Sequence, residues 1–493
     1  MNKDPKTIQA KKIWLSRPHM GGEELKYVHE AYELNWIAPA GDNVNGFEQD
    51  LQSYVGMNAA GVFTSGTAAI HLALILMGVK PGDEVLCQSF TFTASANPVT
   101  YLGASPVFID SETDTWNMDP ALLEQAIQDR LEGGQSDSSA RLPKAIIAVD
   151  LFGMPAKMQE IREIGARYKI PVIEDAAEAL GSQINGKKCG SFGDVNVLSF
   201  NGNKIITTSG GGALLSNNKE LIERAKFLAS QAKDNAPHYE HTQIGYNYRM
   251  SNILAGIGRG QMEVLNDRIR QRREVHDRYF EALGQTWLKL ETIPAYASAH
   301  TTSADLPPTD DLSSTRPTST NPTSTHATRP NVIPIDIRLQ SSSPTGIHFL
   351  REPDGFYSNR WLTTIIINPN ETGGVTREDV RMALERENIE SRPLWKPMHQ
   401  QPIYQQSKAY ITGVSDWLFE YGLCLPSSSD MTLDDQARVI SAIRRVLADG
   451  RATSNGRATS NGRASTNGHA STNGHASTSS NAKLQEHSKS LQR

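Results

Sequence analysis

Cysteine is scarce in this chain. Its 493 residues include three, Cys87, Cys189 and Cys424, far apart and with no CxxC pair. That excludes a disulfide framework and a cysteine-based zinc site, and it suits a reducing compartment. Long apolar runs are also missing: the longest, over 68–79, contains His71 and falls short of a membrane span. The opening MNKDPKTIQAKK lacks the apolar stretch of a signal peptide. Outside the end of the chain, acidic residues outnumber basic ones. Net charge is −5, and from Arg451 onward six Lys/Arg face one acid, Glu486, so the tail carries +5 and the body about −10. An acidic body argues against a nucleic-acid-binding core. These absences predict a cytoplasmic protein with no membrane span, no nucleic-acid partner and no metal.

What is present is a regular alternation. Strand-like runs at 61–64, 84–88, 106–110, 145–151, 171–174 and 195–200 are separated by helical patterns such as 67–77, 120–129 and 158–168. Such alternation predicts an α/β fold, a large mainly parallel-sheet domain whose ligands bind beyond the carboxyl ends of its strands. The domain is expected over 13–250, after a flexible N-terminus at 1–12. Residues 251–285 read as one connecting helix, proline-free, with apolar positions at Ile253, Ile257, Met262, Leu265 and Ile269. A small α+β C-terminal domain is expected over 286–448, with strand NRWLTTIIIN from Asn359, helix 377–387, strand 390–392 and helix 433–448. It is interrupted at 297–343 by a Ser/Thr/Pro-rich segment that reads as a disordered insertion. Residues 449–493 repeat in sixes (RATSNG, RASTNG, HASTNG) and read as a flexible tail, or else as a weak tether to an anionic surface.

Four segments carry chemistry. VLSFNGNKIITTSGGGALLS (197–216) sets Lys204 in a turn between two strands, beside Phe200, Ile205 and Ile206 and ahead of three glycines. Most lysines are solvated surface charges, but a partly desolvated amine near flexible backbone is what Schiff-base chemistry needs. VIEDAAEALGS (172–182) ends a strand at Asp175, which reads either as a helix cap or as the carboxylate that keeps a pyridine nitrogen protonated. In TSGTAAIHLAL (64–74) a turn opens a helix, and Ser65 and Thr67 with the first amides form a phosphate cradle. SFTFTASAN (89–97) places Phe92 after a strand, either in the core or flat against a cofactor ring. Together they describe one pyridoxal 5'-phosphate site.

With these motifs the chain resembles the DegT/DnrJ/StrS sugar aminotransferases, of the aspartate-aminotransferase-like fold (fold type I). LSRPHMGGEELKYV, NWIAPAG, EDAAEALGS, SFNGNKIITTSGGG, GYNYRMSNILAGIG, SNRWLTT, SRPLWKPMH and GLCLPS follow in family order between Ile13 and Ala448. Their forms are most similar to the branch making UDP-N-acetylbacillosamine precursors and to aminotransferases of exopolysaccharide operons. The resemblance implies Lys204 as the Schiff-base lysine, Asp175 on the pyridine nitrogen, Phe92 as the stacking ring, and Gly66, Thr67 and Ser199 on the phosphate. Glu178 matches the position near the cofactor's 3-hydroxyl. Asn247 matches a residue that reaches the phosphate of the neighbouring subunit, which implies a homodimer with shared active sites. Asn35, Trp36, Ile37 and Ala38, with Arg392 and Leu394, match segments that contact the nucleotide-sugar.

The implied reaction is ping-pong, from L-glutamate to the 4-keto carbon of a nucleotide-linked sugar such as UDP-2-acetamido-2,6-dideoxy-hexos-4-ulose. Two other readings compete. Dehydratases of the same family carry histidine in place of the lysine, which Lys204 argues against. A non-catalytic scaffold has no use for the complete lysine, aspartate and phosphate set.

Overall fold

The computed structural model describes residues 10–133, 142–294, 331–332 and 335–461. Nine strands form its central sheet: β1 (Ala59–Phe63), β2 (Glu84–Gln88), β3 (Ser105–Ile109), β4 (Ala145–Val149), β5 (Val172–Asp175), β6 (Val195–Ser199), β7 (Gly212–Ser216), β8 (Asn331–Val332) and β9 (Ala409–Ile411). Their spatial order is β1-β7-β6-β5-β4-β2-β3-β9-β8. Only β7 runs against the others, pairing antiparallel with both β1 and β6. The parallel strands therefore end on one edge, which gathers Ser65, Gln88, Asp175 and Ser199. Strands β1 and β4 are buried along their whole length, as expected of a sheet covered on both faces.

A second sheet, from Ile347–Phe349, Thr363–Ile367, Arg392–Pro393 and Gly422–Leu425, is antiparallel throughout. It packs with helices Arg377–Arg386 and Leu433–Asn461 around Ile365, Ile367, Val380, Leu384, Val439 and Ile443. The two sheets do not divide the chain at one point, because β8 and β9 return from beyond residue 286 to complete the large sheet.

Other boundaries differ from the sequence reading. The single helix expected over 251–285 is two, Asn252–Glu263 and Leu265–Leu283, parted at Val264, whose φ −108° and ψ 5° are not helical. The break lets the first helix pack on helices Glu24–Glu33 and Asp42–Val55, while the second carries Tyr279 and Leu283 into the small core. Most of the expected insertion lies outside the described residues, but its last part is structured: strand Ile335–Leu339 pairs with Leu290–Pro294. The alternation of IDIRL was hidden by its Ser/Thr/Pro surroundings. The final helix passes the expected end at 448 and enters the repeats, since extending a formed helix costs little per residue; residues 462–493 lie outside the description. Residues 1–9 do too, yet the chain is already pinned at Ala10, whose carbonyl accepts from Asn388 Nδ2 at 2.8 Å. Among the described residues no helix is long and apolar enough to cross a membrane.

Candidate active site

At the carboxyl edge of the parallel strands lies a cavity of ≈ 330 Å³. Lys204 enters it from the turn after β6, with a side chain 13% exposed. The turn is tied at three points: the Lys204 amide donates to Asn201 O (3.0 Å), and Asn203 O accepts from Trp361 Nε1 (2.8 Å) and Ser16 Oγ (2.7 Å). The Lys204 ammonium lies 4.3 Å from the centre of the Trp361 ring and 3.3 Å from Glu178 Oε1.

Glu178 is itself fixed. Its Oε2 accepts the Phe152 amide at 2.7 Å, and Phe152 is held in the left-handed region (φ 56°, ψ 14°). A bulky residue adopts that conformation only where its surroundings impose it. Burial pushes the Glu178 carboxyl above its ordinary value, against the pull of Lys204 and the Phe152 amide.

Asp175 closes β5 and is buried; its Oδ2 accepts from Ser95 Oγ (2.7 Å) and its Oδ1 from the Ala177 amide (3.2 Å). Burial raises its carboxyl too, partly offset by the Ser95 hydroxyl and by Lys204. A buried carboxylate with only neutral groups in direct contact favours a cationic partner.

Across the cavity Ser65 caps helix Gly66–Leu76, its Oγ accepting the Ala68 amide at 3.0 Å. That cap uses Ser65 Oγ as an acceptor only, so its O–H still has a proton to donate, and the first-turn amides of Gly66 and Thr67 lack intrahelical acceptors, an arrangement suited to an anion. Glycine is required opposite: a side chain on Gly212 would overlap the backbone of Ser65 and Gly66. Phe92, 53% exposed, forms the remaining wall with Trp395, their ring centres 5.9 Å apart; Trp395 in turn lies 5.7 Å from Phe152.

A model of the DegT/DnrJ/EryC1/StrS aminotransferase family matches residues 18–309 and 336–444. The chain belongs to that family. A Bacillus subtilis protein designated pyridoxal phosphate-dependent aminotransferase EpsN is 46% identical over 437 residues, covering 88% of this chain and 95% of its own. GDP-perosamine synthase of Caulobacter vibrioides is 33% identical over 436 residues, covering 88% and 98%. Among solved structures, a DegT DnrJ EryC1 StrS aminotransferase from Brucella abortus superposes with a TM-score of 0.68 at 26% identity, over 86% of this chain and 94% of that one. The fold is that of the pyridoxal phosphate-dependent aminotransferases.

Pyridoxal phosphate is the cofactor of the DegT/DnrJ/EryC1/StrS aminotransferases, and the residues present fit it. The cavity holds an amine, a buried carboxylate lacking a cationic contact, a set of free helix-start amides, and the Trp395 indole Nε1, buried with no hydrogen-bond partner. Ser65, Gly66, Thr67, Phe92, Asp175, Glu178, Ser199 and Lys204 all line it. Asn247 does not: it stands exposed on the far side of β1, where its backbone bridges Ser230. Asn35, Trp36, Ile37 and Ala38 also stay away from the cavity of their own chain. Asn252 pins their loop, its Nδ2 donating to Trp36 O and its amide to Ala38 O, and Trp36 is 55% exposed. Arg392 pairs with Glu390 at 3.0 Å beside a separate polar hollow, and Leu394 is buried against Gly422.

Several residues with roles here went unassigned in the sequence, Ser95, Asn203, Trp361 and Trp395 among them. Ser95 and Asn203 carry no composition signal. Trp361 and Trp395 stand inside SNRWLTT and SRPLWKPMH, and a tryptophan within such a segment is the signal that could have found them.

Proposed function

We propose that this family member transfers the amino group of L-glutamate to the 4-keto carbon of a nucleotide-linked keto-deoxy sugar, UDP-2-acetamido-2,6-dideoxy-hexos-4-ulose being the acceptor its motifs favour. The observation that carries the reading is the convergence of Lys204, Glu178 and Asp175 in one cavity below the helix start at Gly66. When bound, pyridoxal phosphate supplies an aldehyde that takes up amines and a ring that accepts electrons from the bond being broken. Lys204 holds it covalently and, once released, moves a proton at the donor's Cα as general acid and base. Asp175 keeps the ring nitrogen protonated, and Glu178 orients the Lys204 amine. Ser199, Thr67 and the first amides of helix Gly66–Leu76 hold the phosphate.

In this reading two chains form a homodimer, and Asn247 of each completes the phosphate site of the other. The 35–38 loop and Arg392 then face the acceptor sugar and its nucleotide across the interface. Their exposure in a single chain agrees with that arrangement. Three free, buried thiols suit work in a reducing cytoplasm.

A GDP-linked acceptor is the second reading, favoured by the similarity to GDP-perosamine synthase over nearly its full length. Stopped-flow absorbance of the two half-reactions decides. Glutamate should convert the cofactor to its amino form, and a panel of UDP-, GDP- and dTDP-linked 4-keto sugars should convert it back. Fastest return with a UDP-linked acceptor is expected. A GDP-linked acceptor returning it faster would replace the UDP reading, and failure with every 4-keto sugar would overturn both.

A further inference from the structure

Asn359 is fully buried just outside the cavity, where three distant segments meet. Its Nδ2 donates to the carbonyls of Glu178 (2.9 Å) and Leu180 (3.0 Å), and its Oδ1 accepts the Trp361 amide (2.8 Å). Its own amide donates to Ser182 Oγ at 2.9 Å, and that hydroxyl donates to Gly153 O at 2.7 Å. Every donor and acceptor of the side-chain amide is used. Gly153, at φ 89°, makes room for it: a methyl group there would overlap Asn359 Oδ1.

The joined segments are those that hold Lys204. One carries Glu178, at 3.3 Å from the amine; another carries Trp361, whose ring lies under the amine and whose indole grips Asn203. The third carries Phe152, whose amide fixes Glu178 Oε2. We infer that Asn359 is a positioning residue for Lys204, locking Glu178 and Trp361 in register so that the amine is held from both sides. The inference rests on the reading of Lys204 as the cofactor-bearing lysine. An apolar residue of similar size would fill the space, but it would leave the Glu178, Leu180 and Trp361 backbone groups unpaired and free to turn.

The test is capture of pyridoxal phosphate by full-length apoprotein, followed by visible absorbance, for wild type, Asn359→Ala, Glu178→Gln, the double variant and Lys204→Ala, with melting temperatures alongside. Asn359→Ala should slow capture about tenfold, because displacing a reacting group by a fraction of an ångström carries penalties of that order. In the Glu178→Gln background the same substitution should slow it less than about threefold, since groups acting as one unit are not additive. Wild-type capture by folded Asn359→Ala, or effects that multiply independently, overturns the inference and marks Asn359 as a core residue only. If Asn359→Ala melts below the assay temperature, Asn359→Asp takes its place. It keeps Oδ1 for the Trp361 amide and removes both donors to Glu178 and Leu180, and the same outcomes decide. Covalent capture by Lys204→Ala would overturn the lysine assignment instead, so the two failures are distinguishable.

Discussion

At the scale of single residues, the proposed chemistry depends on groups that the fold places in the cavity. Lys204→Ala should leave the fold intact and abolish covalent cofactor binding, because the side chain ends in the cavity and fills little core. Borohydride reduction and peptide mapping of the wild type should place the cofactor on Lys204, and a label on any other lysine would refute it. Asp175→Asn should still bind cofactor but turn over at least about a hundredfold more slowly, roughly 3 kcal/mol of barrier, since an amide does not hold the ring nitrogen's proton. Near-normal turnover would reduce Asp175 to a cap on the following turn. That both residues line the cavity was legible in the sequence, because Asp175 ends a strand-like run and Lys204 sits in the turn after another, where α/β enzymes place functional groups. Ser95 was not. Its 2.7 Å bond to Asp175 depends on a one-turn helix, Thr93–Ser95, that no periodicity announces. Leu394 shows the opposite limit: its motif suggests a ligand contact, while its side chain serves the core.

At the scale of elements, two junctions determine whether the cavity forms. The first is the crossing of β7 over the start of helix Gly66–Leu76, where Gly212 lies against the backbone of Ser65 and Gly66. Gly212→Ala should destabilise the protein by about 2–4 kcal/mol and weaken phosphate binding, measured by denaturant melts with and without inorganic phosphate. The second is the seam between β4 and β5. Asp150, just after β4, and Glu174, in β5, are fully buried, with a carboxylate oxygen of each and Cys189 Sγ within 4.8 Å of one another. Asp150 N also bonds Asp175 O at 3.1 Å. Burial raises both carboxyls, and Glu174 raises Asp150 further. A folded value above the unfolded one means that the native state keeps a proton the unfolded chain has released. The pair's contribution is therefore full below the ordinary carboxylate range and is lost as pH rises through the folded values. Asp150→Asn supplies a permanent donor toward Glu174, so its unfolding free energy should fall less as pH rises above the ordinary carboxylate range, measured by denaturant melts at a series of pH values. An unchanged slope would show that the pair holds no shared proton. Element types were largely legible, since parallel buried strands read as apolar runs; the break at Val264 was not, because the helical pattern continues unbroken across it.

At the scale of the whole molecule, the predictions concern what one chain lacks. If Asn247 completes the partner's site, mixing inactive Lys204→Ala with inactive Asn247→Ala should restore about a quarter of wild-type activity, because half the dimers are mixed and each then has one whole site. No recovery after verified subunit exchange would refute shared sites. Excising 310–330, which lies outside the family match, should leave cofactor capture unchanged and alter stability by no more than about 1 kcal/mol, as loop closure depends weakly on length. Loss of capture would give the segment a part in the site. The return of β9 to the large sheet has one more consequence. Its partner β3 leaves the ribosome about three hundred residues earlier, so at about 5–20 residues per second the nascent sheet waits roughly 15–60 s with that edge unpaired. An unpaired edge is a template for association with other chains, and in the growing polypeptide β3 presents such an edge until β9 arrives.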